Sequence, residues 1–99
     1  MKVQLLPSAQ QDLREIEGWV TENFGSNFAD RTYARLFKTF RLLADFPEMG
    51  RPRRELTDRP VRFFLQKPYW IVYETGSQLM IHRVFHAARG LNRIDVGEV

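Results

Sequence analysis

Tyr69-Trp70-Ile71-Val72-Tyr73 and Gln78-Leu79-Met80-Ile81-His82-Arg83-Val84-Phe85-His86-Ala87-Ala88-Arg89-Gly90 decide the fold of this chain. Both are apolar runs with β-branched and aromatic residues, and they flank Glu74-Thr75-Gly76-Ser77. That is the pattern of a β-hairpin. The second strand runs out into His82, Arg83, His86 and Arg89, a concentration of side chains suited to an anionic or polar partner. Alternation along the first strand sets Tyr69, Ile71 and Tyr73 on one face and Trp70, Val72 and Glu74 on the other. Both faces are largely apolar, so both need covering.

Upstream, residues 61–65 read as another strand, separated from the hairpin by Pro68. Before it, residues 47–60 form a polar connector with little apolar content beyond Met49 and Leu56. The preceding half is helical in pattern. Val3-Gln4-Leu5-Leu6 is a short strand closed by Pro7, and Ser8 with Gln11 forms a capping-box pattern. Leu13, Ile16, Val20 and Phe24 then recur at helical spacing, with Trp19 alongside, up to Gly25. Ser26 is placed to cap a second helix with an apolar face of Ala29, Tyr33, Leu36, Phe37, Phe40, Leu43 and Ala44. Asp45-Phe46-Pro47 stops it, since the residue before proline disfavours helix. A connector of about three residues makes the two helices an antiparallel hairpin. The tail offers one helical turn around Leu91 and Ile94.

The order β-α-α-β-β-β predicts an α+β, two-layer fold, with an antiparallel helical hairpin packed on one face of an antiparallel sheet. One hairpin cannot cover both faces. The opposite face, carrying Phe63, Trp70 and Val72, is therefore expected to stand open to a partner.

Composition narrows the class. At 99 residues, one domain spanning 1–99 is expected. The hydrophobic fraction of 43%, with eight Phe, three Tyr and two Trp, suffices for a packed interior. With no cysteine, disulfides, thiol chemistry and Cys-based metal sites are excluded. No apolar run approaches the roughly 20 residues of a membrane span, and residues 1–7 are too short and polar for a signal peptide. A cytoplasmic protein without membrane contact is expected. The net charge of +3 lies wholly in residues 47–99, which hold nine basic and six acidic side chains against six of each in residues 1–46. Twelve of the fifteen cations are Arg, suited to planar contacts with carboxylate or phosphate. Nucleic acid, an acidic protein or a solvated surface all fit that bias.

Several segments together resemble the RelE/ParE toxins. They are Ser8-Ala9-Gln10-Gln11-Asp12-Leu13-Arg14-Glu15-Ile16, Pro47-Glu48-Met49-Gly50-Arg51, Val61-Arg62 leading to Tyr69-Trp70-Ile71-Val72-Tyr73, and Ile81 to Arg89. The strand ending resembles the ParE branch. The resemblance implies the toxin of a type II toxin–antitoxin pair with a role in plasmid stabilisation. Its partner would be a ParD-like antitoxin wrapping a helix and an extended segment around it. ParE members act on DNA gyrase; RelE-like members cut messenger RNA in the ribosome. A homodimer or a two-plus-two toxin–antitoxin complex is likewise implied.

The chemistry separates the branches. RNA cleavage needs a base for the 2′-hydroxyl and cations for the transition state. RelE-like nucleases resemble this chain but carry Arg where Trp70 stands, and a Tyr or His in the tail, where residues 94–99 have neither. No catalytic residue is therefore expected, and an inhibitor rather than an enzyme is favoured. A ribosome-dependent endonuclease built on Arg83, His86 and Arg89 stays open, as does a non-toxic antitoxin-binding homologue. Arg83, His86, Arg89 and Arg93 are the candidate target surface, and Phe63, Trp70 and Val72 the candidate antitoxin groove. Arg83 and Arg89 also have Glu74 and Asp95 as possible ion-pair partners. His82 and His86, four apart on one strand face, are too distant to chelate, so no metal or other cofactor is expected.

Overall fold

The computed structural model describes residues 1–89. The elements run β1 (Val3–Leu5), α1 (Pro7–Phe24), α2 (Ser26–Asp45), a 3-10 turn (Pro47–Met49), β2 (Arg62–Gln66), β3 (Tyr69–Thr75), β4 (Leu79–His86) and a second 3-10 turn (Ala87–Arg89). The anticipated α+β order and the helical hairpin on one sheet face are both present. The sheet order is β1-β4-β3-β2. β2, β3 and β4 are antiparallel, whereas β1 pairs parallel to β4, so the sheet is mixed. The crossover through two helices brings β1 alongside the last strand.

Helix starts differ from the capping pattern. Pro7 occupies the first turn of α1 and Leu6 the cap position, with no side-chain cap. Proline removes one of the first turn's unpaired amides and its φ already fits the helix. Ser8 thus lies inside α1, and Ser26 inside α2. The connector is Gly25 alone, at φ 92°, a conformation that favours glycine. Its amide closes α1 on the Thr21 carbonyl, and its own carbonyl accepts the Ala29 amide of α2.

The main core fills the space between helices and sheet. Ala9 and Leu13 of α1 and Leu36, Phe40 and Leu43 of α2 meet Tyr69, Ile71 and Tyr73 of β3 and Leu79, Ile81 and Val84 of β4. The face assignment of β3 holds. β4 is less regular: Val72 pairs with Arg83 but Tyr73 with Ile81, so His82 is an extra, bulged residue. The bulge breaks the period of two, letting Ile81 and Val84 share the helix side though three apart. His82 and His86, expected on one face, are thereby out of phase: His82 is 2% exposed, His86 is exposed.

The opposite face is covered, contrary to expectation. Val61, Phe63, Val72 and Phe85 form a second small core, with Leu56 and Trp70 against it. The covering layer is the connector itself. Arg51 exchanges backbone hydrogen bonds with Phe63 at 3.0 and 2.8 Å, bringing the connector back along β2. Its few apolar residues suffice because the patch to be covered is small.

Tyr73 fastens the connector from the other side. Its buried hydroxyl donates to the Pro47 carbonyl at 2.6 Å and accepts the Gly50 amide at 2.8 Å. Burial pushes the Tyr73 phenol above its ordinary 10.0, and burial is also the first cause of the rise at Tyr69 and Tyr33. The folded state therefore keeps these protons to higher pH than the unfolded chain does. Their stabilising contribution is complete below 10.0 and lost as pH rises through the elevated values. Urea midpoints should accordingly fall steeply above pH 10.0, and less steeply in Tyr73→Phe. Equal slopes in both proteins would show that Tyr73 is not the titrating group.

Candidate functional site

α1 has 18 residues, roughly 27 Å at about 1.5 Å per residue. The strand beneath its start, β1, has only 3, roughly 10 Å. β1 is matched to Leu79–Ile81 and stops, while β4 continues to His86. Among the described residues no strand lies beyond β4, and the second half of α1 overhangs the sheet edge there. The result is a cleft of about 440 Å³ between Asp12, Glu15, Ile16 and Trp19 of α1 and Val84, Phe85 and His86 of β4, with Tyr69 and Arg89.

A second cleft of about 270 Å³ continues around the end of the molecule, sharing Trp19, Tyr69 and His86 with the first. It lies between the helical hairpin tip and the β2–β3 turn, which contributes Lys67 and Pro68. Its outer wall is an aromatic cluster. Trp19, Phe24 and Phe28 are 56%, 59% and 44% exposed, with ring centroids 5.7 Å apart for Trp19–Phe24 and 5.2 Å for Phe24–Phe28. Cations frame it. Arg31 lies 5.5 Å from the Phe28 ring centroid, and Arg35, Lys67 and Arg89 border the two clefts.

The floor of the first cleft is held by an ion pair. Asp12 is 5% exposed and takes Arg83 in a bidentate grip, Nε to Oδ2 at 2.7 Å and Nη2 to Oδ1 at 3.0 Å. Oδ2 also accepts the Val84 amide at 2.9 Å. That amide faces the edge where β1 has ended, so the carboxylate substitutes for the missing strand. Two parallel N–H···O bonds between charged groups are among the strongest polar contacts available.

The anticipated site residues divide. Arg83 is committed to Asp12, with its side chain 16% exposed, and is largely withdrawn from any target surface. Its partner is not Glu74, which instead meets His82 Nε2 at 3.0 Å. His86 and Arg89 are exposed at the cleft, and His86 Nδ1 accepts the Ala88 amide at 3.0 Å. Arg93 and Asp95 lie outside the described residues. The expected antitoxin groove is corrected more sharply. Val72 and Phe63 are 0% and 4% exposed inside the second core, so neither side chain is open to a partner. Trp70 alone of the three reaches the surface, half-buried beneath the Arg53 guanidinium.

Sequence reasoning placed Phe24 in the helix's apolar stripe and gave Asp12 no role. Both left a trace. The stripe is longer than the sheet it covers, so its far end must protrude. Asp12 sits among Ala9, Leu13 and Ile16 at helical spacing, and an acid on a buried stripe requires a cation.

The family model described as "ParE toxin of type II toxin-antitoxin system, parDE" matches residues 3–91. Among solved structures, one described as the "Chromosomal ParDE TA system from P. aeruginosa" is similar at a TM-score of 0.70 and 20% identity, covering 87% of this chain and 95% of that one. At that identity the likeness shows the fold. No curated protein matches the sequence significantly.

Proposed function

This chain belongs to the ParE toxin family of type II toxin–antitoxin systems, and we propose that it inhibits DNA gyrase by protein–protein contact. We further propose that a ParD-like antitoxin neutralises it by seating in the cleft at the hairpin tip. Membership of such a pair implies an antitoxin partner. The observation that carries the docking site is the exposed aromatic wall of Trp19, Phe24 and Phe28. Exposed contiguous apolar surface of this kind marks an interaction site. Its cationic frame suits an acidic, amphipathic segment with apolar anchors.

Contact rather than catalysis is supported by the state of the polar groups. Arg83 is engaged by Asp12, and one His86 nitrogen by a backbone amide. Trp70 stands where related nucleases would require a cation. Among the described residues no helix is long and apolar enough to cross a membrane, which fits a site of action in the cytoplasm beside gyrase.

A supercoiling assay with purified toxin tests the target: inhibition is expected, relieved by cognate antitoxin, and its absence at micromolar toxin defeats the proposal. Trp19→Ala tests the docking site. An exposed aromatic anchor lost from an interface costs about 2 kcal/mol or more. Antitoxin affinity measured by calorimetry should then fall roughly thirtyfold, with the thermal midpoint of the free toxin little changed. Unaltered affinity would move the antitoxin elsewhere.

A further inference from the structure

The connector carries a charge pattern that the toxin–antitoxin reading does not use. Residues 51–62 hold five arginines, Arg51, Arg53, Arg54, Arg59 and Arg62, against Glu55 and Asp58. Their excess of three equals the net charge of the whole chain, +3, so the remainder is balanced. The loop is also held in place. Arg51 is fixed by its backbone bonds to Phe63, the Leu56 amide closes a turn on the Arg53 carbonyl at 2.9 Å, and Leu56 packs on the second core. Arg51 and Arg54 are exposed. Arg53 meets Glu55 at 2.8 Å, and its guanidinium carbon lies 5.9 Å from the Trp70 ring centroid. Trp70 is half-buried and faces Leu65, 37% exposed, across the β2–β3 ladder.

A partly exposed indole beside one guanidinium, on an anchored loop that carries two more exposed arginines, is the chemistry of a stacking platform with phosphate clamps. Every base presents a π-face, but only an unpaired base can lay it on a side chain. We propose that the loop carrying Arg51, Arg53 and Arg54, together with Trp70, binds single-stranded nucleic acid. The guanidinia contact successive phosphates while one base stacks on the indole, displacing Arg53 from its position over the ring. Because the loop is already anchored, little ordering opposes binding. The surface lies on the sheet face away from the helices, so it leaves the hairpin-tip cleft unobstructed.

The chain has two tryptophans, Trp19 and Trp70, so Trp19→Phe leaves Trp70 as the sole indole reporter. The probes are fluorescent oligothymidylate and oligouridylate of about 20 nucleotides, a duplex of equal length and polyglutamate. Anisotropy should show both single strands binding, with quenching of Trp70. Equal affinities identify the shared phosphate-and-base chemistry, and a preference identifies which nucleic acid is the ligand. Two or three phosphate contacts give a slope of log affinity against log salt of about −1.4 to −2. Arg51→Ala/Arg54→Ala should weaken binding at least tenfold and flatten the slope by about 1.4. Trp70→Phe, which keeps a π-face, should weaken it less than Trp70→Leu. Lys38→Ala/Arg41→Ala, on the exposed side of α2, should leave it unchanged. The proposal is overturned by absent binding at low salt, by wild-type affinity in the double arginine variant, or by polyglutamate or duplex binding as tightly as the single strands. None of these outcomes depends on gyrase or antitoxin.

Discussion

Replacing Asp12 with alanine is expected to cost about 3–5 kcal/mol of folding stability, more than any exposed charge in the molecule could. The substitution takes an acceptor from two groups. Arg83, its side chain 16% exposed, loses the carboxylate that grips its guanidinium through two bonds. The Val84 amide, which bonds Asp12 at 2.9 Å, loses its acceptor at an edge that β1 does not reach. The cost arises from removing one partner, since burying the pair in the first place is expensive. Asp12→Leu combined with Arg83→Met should therefore lose less than Asp12→Ala alone. Urea denaturation followed by tryptophan fluorescence measures both. A loss under about 1 kcal/mol for Asp12→Ala would mean that the pair behaves as a solvated one. The same variant should weaken antitoxin binding, because Asp12 and Arg83 tie α1 to the β4 edge that together form the cleft.

Gly50→Ala is the second large effect, expected at about 2–4 kcal/mol from overpacking and a disturbed buried hydrogen bond. A methyl at this position would sit 2.5 Å from the Tyr73 hydroxyl and 2.7 Å from its Cε1. The backbone there is ordinary, φ −83° and ψ 165°, so the requirement for glycine comes from this close approach and not from conformation. Tyr73→Phe removes the hydroxyl and strands the Gly50 amide and the Pro47 carbonyl, at about 1–3 kcal/mol. In the double variant the nearest clash is gone, although the ring carbons remain. The two losses should then combine to less than their sum, by at least about 0.5 kcal/mol in a double-mutant cycle. Strict additivity would show that Gly50 and Tyr73 do not meet.

These two sites also show how far the sequence could be read. The Pro47-Glu48-Met49-Gly50-Arg51 step is visible as a pattern, and so is Tyr73 on the helix face of its strand. Nothing local says that the Tyr73 hydroxyl reaches Gly50 across 23 residues. Asp12 and Arg83 are 71 residues apart, and Asp12 is one of twelve acidic side chains that could have met this arginine. Choosing between Glu74 and Asp12 required knowing where β1 stops against β4. The bulge at His82 was equally hidden, because one extra residue shifts the face of everything beyond it while leaving the apolar composition unchanged.

The sequence by itself determined the periodic features: two helices meeting at Gly25, three late strands, the faces of β3, and the β-α-α-β-β-β order that carries the family resemblance. Period and punctuation are local, so residue order records them. Only the tertiary structure decided which surface is open. Phe63 and Val72 were expected to await a partner, yet a connector poor in apolar residues closes over them because the patch is small and Leu56 with Val61 can fill it. Phe24 lies on a stripe patterned for the core, with Trp19 alongside it, yet both protrude because α1 outruns the sheet. Exposure depends on the relative lengths and placement of distant segments, a property that no stretch of the chain carries alone.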